Sequence, residues 1–124
     1  LRNHLQAANF TLIVTSNGRE ALDTLTRLDA EAKAQGQDIS SLVDIVISDI
    51  EMPLMDGFSL TRQIRQSPTL RGLPVILYSS LITQELRHKG ESVGADDQIS
   101  KPELSKMAER ALRLIQARET QQTP

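Results

Sequence analysis

The chain has 124 residues, 39% of them hydrophobic and 24% charged, with a net charge of −2. These values suit one domain with one core and leave no dominant basic surface for nucleic acid or an anionic membrane. Cysteine is absent, which excludes disulfides, thiolate chemistry and cysteine-held metals and fits a reducing, cytoplasmic compartment; no apolar run reaches the length of a membrane span.

Leu1–Ala8 has helical character with no cap before it, like the end of a helix whose start is missing. Thr11–Thr15 is short, apolar and β-branched, the pattern of a strand. Ser16-Asn17-Gly18 is a turn rich in helix-capping residues. From Glu20 to Gln35 the spacing of Ala21, Leu22, Leu25, Leu28 and Ala32 predicts a helix, with Gly36 as its C-cap. Leu42–Ser48 is almost continuously apolar, which marks a strand buried on both faces. Asp49–Gly57 is a loop with Pro53 and an Asp-Gly pair. Phe58–Gln66 is a helix, Leu73–Tyr78 a second buried strand, Thr83–Val93 a weaker helix and Gln98–Ser100 a short last strand. Glu103–Arg118 is amphipathic, with Leu104, Met107, Ala108, Ala111, Leu112 and Ile115 on one face. The domain is therefore read as residues 1–118, and 119–124 as a polar tail.

Strands alternating with helices predict a parallel sheet with helices on both faces. Sites in such sheets form at the carboxyl ends of strands. Asp49, Ser79 and Lys101 each follow a predicted strand. A carboxylate at such an end can attack a phosphoryl group and form an acyl phosphate. That transfer needs positioning and charge neutralisation more than covalent help. Lys101 can supply the positive charge, Ser79 one hydroxyl for a phosphoryl oxygen, and a divalent cation the rest. Singly, these residues are more often a cap, a solvated charge and a turn. His4 and His88 are assigned to surface or packing, and Met52, Met55 and Met107 to packing.

Together the residues resemble the receiver domain of bacterial response regulators. The match runs through Ile47-Ser48-Asp49-Ile50-Glu51-Met52-Pro53-Leu54-Met55-Asp56-Gly57, then Leu73-Pro74-Val75-Ile76-Leu77-Tyr78-Ser79-Ser80, Gly94-Ala95-Asp96 and Lys101-Pro102. Ser79 lies 30 residues and Lys101 52 residues after Asp49, in agreement with the family spacing. The resemblance implies a flavodoxin-like, doubly wound (βα)5 parallel sheet of strand order 2-1-3-4-5. It implies that Asp49 is the phosphoacceptor of a histidine kinase. Ser79 and Lys101 would be the switch and phosphate-binding residues. A magnesium ion (Mg2+) would be held by Asp49 and the backbone carbonyl of Glu51. Pro53, Gly57 and Pro102 would shape the surrounding loops, with a cis bond before Pro102.

The sequence departs from the family pattern in three places. The family opens with an apolar strand ending in two acidic residues that hold the magnesium ion. No such strand or pair precedes Leu1. The expected consequences are an incomplete cation site and a gap between the Thr11–Thr15 and Leu42–Ser48 strands that opens two edges. A partner could fill such a gap by a strand swap or dimer. Gln98 stands where the family usually has an aromatic residue. Glu20–Ser41 is longer than usual, which resembles the receiver of CheV-type chemotaxis coupling proteins. That likeness implies a kinase of the CheA type, a chemoreceptor array and a coupling domain ahead of this one. No DNA-binding helix-turn-helix follows the last helix.

The leading expectation is a phospho-accepting, non-enzymatic signalling module. The alternative is a phosphorylation-independent docking or dimerisation module. An aspartyl-phosphate phosphatase would need Asp two residues after the nucleophile, where Glu51 stands. A dinucleotide-binding domain would need a glycine-rich phosphate loop after a strand, and none is present.

Overall fold

The computed structural model describes residues 12–15, 17–52 and 54–122. The expected helix over Leu1–Ala8, with His4, lies outside them. Strands β1 (Leu12–Thr15), β2 (Ile45–Asp49), β3 (Val75–Ser79) and β4 (Asp97–Ser100) alternate with helices α1 (Gly18–Ala34), α2 (Gly57–Gln66), α3 (Gln84–Val93) and α4 (Met107–Gln122). Short 3-10 turns cover Ile39–Ser41 and Lys101–Lys106. The described strands form one parallel sheet in the order β1-β2-β3-β4. This is the expected flavodoxin-like α/β architecture.

One expectation about the sheet is corrected. No gap separates the first two described strands: β1 pairs directly with β2, from Leu12 opposite Ile45 to Thr15 opposite Ser48. Two open edges would leave rows of backbone N–H and C=O groups unpaired, and pairing them with each other removes that cost.

Local chemistry sets the element ends. Asn17 caps α1, its side-chain oxygen accepting from the Arg19 and Glu20 N–H groups at 3.0 and 3.3 Å. Thr83 caps α3 through the Leu86 N–H at 3.1 Å. Gly94 ends α3 in the left-handed region, φ 95°, where a residue without Cβ is unstrained. The turn at Ile39–Ser41 delays β2 until Ile45, while the strand runs one residue further than expected and takes in Asp49. Likewise the Lys101–Lys106 turn delays the last helix to Met107.

Strand parity sorts the core into two layers. Val46, Val75 and Leu77 pack with Ala21 and Leu25 of α1, Phe58, Leu60 and Ile64 of α2 and Val93 of α3. Ile45, Ile47, Ile76 and Ile99 face the other way, against Ala111 and Ile115 of α4. Neighbours in sequence thus bury on opposite faces, which is why β2 and β3 read as unbroken apolar runs. Each fully buried Leu or Ile contributes about 1.5–3 kcal/mol by leaving water.

At the amino ends of β3 and β4, one side chain joins three segments. Arg65 of α2 donates from Nε to the Gly94 carbonyl (2.9 Å), and from Nη1 to the carbonyls of Arg71 (3.0 Å) and Leu73 (2.7 Å). Its Nη2 reaches Asp96 Oδ2 at 2.7 Å, and the same oxygen accepts the Val75 N–H at 2.8 Å. The Arg65→Ala variant should lose about 2–3 kcal/mol of stability, from carbonyls left unpaired at a partly buried site. Arg65→Lys should recover little of it, because an ammonium lacks the planar fork. Equilibrium urea denaturation measures both; an Arg65→Ala midpoint equal to wild type would refute the assignment.

Candidate functional site

The parallel register brings three strand ends side by side. Asp49, the last residue of β2, lies opposite Tyr78, and Ser79, the last of β3, lies opposite Ser100 of β4, so Lys101 leaves the sheet beside them. The Lys101 ammonium stands 3.6 Å from Asp49 Oδ2, with the Asp49 side chain 20% exposed. It also lies 5.9 Å from the Tyr78 ring centroid, within reach of a cation–π contact. Asp49 Oδ1 accepts the Glu51 N–H at 3.1 Å, so one carboxylate oxygen is tied to its own loop and the other faces the lysine. The arrangement is a carboxylate with one ammonium at ion-pair distance.

The loop after Asp49 is held at several points. The Ile50 N–H donates to the Tyr78 carbonyl at 2.8 Å and the Gly57 N–H to the Ile50 carbonyl at 2.9 Å. Asp56 caps α2 through the Ser59 N–H at 2.8 Å. A Cβ on Gly57 would stand 2.5 Å from the Asp49 carbonyl oxygen and 2.9 Å from the Ile50 Cα, so the loop can close against the helix only at a glycine. Gly18, at the start of α1, touches the same loop: its N–H donates to the Met55 carbonyl at 3.2 Å, and a Cβ there would collide with that carbonyl. Leu54 sits at φ 66° and is 83% exposed. Pro53, expected to shape this loop, lies outside the described residues.

Ser79 is buried, 1% exposed, and donates its hydroxyl to Glu51 Oε1 at 3.1 Å. Only the Glu51 backbone was expected to matter, so this side-chain contact is an addition to the sequence reading. The sole signal for it was the acidic residue two positions after Asp49. A cis bond was expected before Pro102; no cis peptide bond occurs among the described residues. Lys101 and Pro102 start the 3-10 turn Lys101–Lys106. Beyond them, the Ser100 hydroxyl donates to Glu103 at 3.0 Å and holds that carboxyl below its usual range. His88 lies exposed on α3, as expected for a surface residue.

Gln98 is 3% exposed on the sheet face beneath α3. Its Nε2 donates to the Arg87 carbonyl at 2.8 Å, while its Oε1 is buried without a partner. Gly90 makes the room, since a Cβ there would strike the Gln98 amide. Among the described residues no group of three or more His, Cys, Asp and Glu side chains converges on a cation position. The Asp49 carboxylate is the donor at hand for one, beside Lys101.

The model of the response regulator receiver domain matches residues 1–113. The chain is 28% identical over 115 residues to the chemotaxis protein CheV3 of Helicobacter pylori, covering 93% of this chain and 36% of that protein. It is 34% identical over 95 residues to the response regulator PleD of Caulobacter vibrioides, covering 77% of this chain and 21% of that protein. The chain thus spans roughly a third or less of these relatives' own length. Its fold is similar, with a TM-score of 0.59, to the receiver domain of a sensor histidine kinase of Pseudomonas aeruginosa described with magnesium in its active-site cleft. That likeness has 21% identity and covers 86% of this chain and 98% of the other.

Two outcomes follow from the packing. Gly57→Ala should destabilise by about 1–3 kcal/mol, because the new Cβ meets backbone that cannot turn aside; an unchanged thermal midpoint would contradict the close approach. Gln98→Leu should be neutral or up to about 1 kcal/mol stabilising, because the unpartnered oxygen leaves the core. A clear loss in urea denaturation would show that Gln98 is satisfied after all.

Proposed function

The chain belongs to the response regulator receiver family, and on that premise we propose that Asp49 accepts a phosphoryl group from a histidine kinase. The observation that carries this reading is the Lys101 ammonium 3.6 Å from Asp49 Oδ2, at the shared edge of β2, β3 and β4. Receiver domains partner with histidine kinases. Here an Asp49 oxygen would attack the phosphorus, and Lys101 would stabilise charge on the phosphoryl oxygens. Ser79 would turn its hydroxyl toward one of them. The Asp49 carboxylate and the Glu51 backbone carbonyl would hold a magnesium ion, which would supply positive charge to the phosphoryl oxygens.

The phosphoryl group adds up to two negative charges beside the Ser79 loop and thereby biases the surface that α3 and its preceding loop present. We assign the domain to chemotaxis signalling in the cytoplasm, with a kinase of the CheA type. The 93% coverage by CheV3 supports this, and the similar likeness to PleD makes it the finer part of the proposal. No helix among the described residues is long and apolar enough to cross a membrane. The proposed role is signalling by occupancy of Asp49, without turnover of a separate substrate.

Incubation with acetyl phosphate and magnesium should add one phosphoryl group by intact-mass analysis in wild type and none in Asp49→Asn. Wild type gaining no phosphoryl mass, or Asp49→Asn gaining it equally, would overturn the reading.

A further inference from the structure

We propose that the Glu51 carboxylate restrains the Ser79 hydroxyl, and that this restraint must be released for Asp49 to take up a phosphoryl group. The inference rests on the phosphoacceptor reading of Asp49 and concerns what regulates that site. A serine hydroxyl has one proton to donate. In this structure it goes to Glu51 Oε1, at 3.1 Å. While it does, Ser79 cannot donate to a phosphoryl oxygen. With 1% of its surface exposed, Ser79 has little access to water as a substitute, so its choice lies between Glu51 and an incoming acceptor.

The geometry of residue 51 makes the two sites one unit. Its N–H donates to Asp49 Oδ1 at 3.1 Å, while its carboxylate holds Ser79. Residue 51 therefore bridges the last side chain of β2 to the last side chain of β3. Its charge acts in the same direction as its hydrogen bond. An anionic phosphoryl donor meets two carboxylates, Asp49 and Glu51, and one ammonium at ion-pair distance, Lys101. Glu51 is exposed, so solvent screens part of that repulsion and leaves it a free path to swing away.

The chemical step itself asks no proton of Glu51. With acetyl phosphate, a bond forms from an Asp49 oxygen to phosphorus as the bond from phosphorus to the acetate oxygen breaks. Acetate leaves with the electron pair. The Ser79 proton remains on Ser79 and moves its hydrogen bond from the Glu51 carboxylate to a phosphoryl oxygen. Glu51 then turns to solvent.

The test is the initial rate of phosphoryl uptake from acetyl phosphate with magnesium, followed by intact mass, in wild type, Glu51→Gln, Glu51→Ala and Ser79→Ala. Glu51→Ala should raise the rate about three- to ten-fold, the scale of one charge-assisted hydrogen bond after solvent screening. Glu51→Gln keeps an acceptor for Ser79 but loses the charge, and should fall between wild type and Glu51→Ala. In a Ser79→Ala background the gain from Glu51→Ala should shrink. Substitution at an exposed loop position leaves the fold intact, which matching thermal midpoints establish. Uptake by wild type with no acceleration in Glu51→Ala refutes the restraint alone. An equal gain with and without the Ser79 hydroxyl refutes it too, leaving charge repulsion as the cause. No uptake by wild type refutes the phosphoacceptor reading beneath it.

Discussion

The parallel pairing of β2, β3 and β4 is the constraint on which the site depends. Parallel strands place all their carboxyl ends on one edge, and the backbone ladder fixes their spacing. Asp49 therefore stands opposite Tyr78, and Ser79 opposite Ser100, before any side chain makes a contact. Burial on both faces locks this register. A slip by one residue would send Ile76 and Leu77 to each other's layers, against helices that do not fit them. The polar residues of the site then occur where the strands stop being buried. Asp49 and Lys101 meet because the ladder brought them there, and the ion pair itself adds little to stability at a partly exposed edge.

How much of this was legible in the sequence follows from which residues carry a periodic signal. β2 and β3 were legible because continuous apolar runs are rare outside two-sided burial, and the residues following them named Asp49 and Ser79 directly. Lys101 was legible through its place after the last strand and through its spacing from Asp49. The neighbour of β1 was not. Apolar pattern tells how deeply a strand is buried, not which strand lies beside it, and the direct pairing of Leu12 with Ile45 came from backbone groups that every residue carries alike. The Glu51 side-chain contact was missed for a related reason: a charged residue in a loop has no period, and its bond to Ser79 joins positions 28 apart in sequence. Arg65 reads as one more solvated charge on an amphipathic helix, yet it fills four acceptors on the two segments that lead into β3 and β4.

The loop between β2 and α2 gains its shape from absent side chains as much as from present ones. Gly57 lets α2 start directly against the Asp49 carbonyl, and Gly18 lets α1 approach the Met55 carbonyl. Both contacts are backbone on backbone. They hold the neighbours of Asp49 in place without using any polar side chain. The polar side chains nearby are left for other work: Asp56 caps α2, Glu51 reaches Ser79, and the Asp49 carboxylate keeps one oxygen toward Lys101.

α3 is held differently, and this bears on what a change at Ser79 can move. Its buried residues are Gly90 and Val93, so it brings little apolar side chain to the core. Beside the packing of Val93 and Leu86, it is tied to the sheet by the Gln98 amide, which gives one hydrogen bond to the Arg87 carbonyl and leaves its own oxygen unpartnered. A half-satisfied buried amide holds a helix less firmly than either a full polar pair or an apolar side chain of the same size. The chain entering α3 begins at Ser79 and exposes Leu81 at 67%. A low-cost helix joined to a buried hydroxyl by a short, partly apolar loop is the segment most responsive to where that hydroxyl points. An aromatic ring at position 98 would move by turning in or out of a pocket. Gln98 has no ring to turn, and its available motion is an exchange of hydrogen-bond partners, which couples it to the backbone of α3 itself.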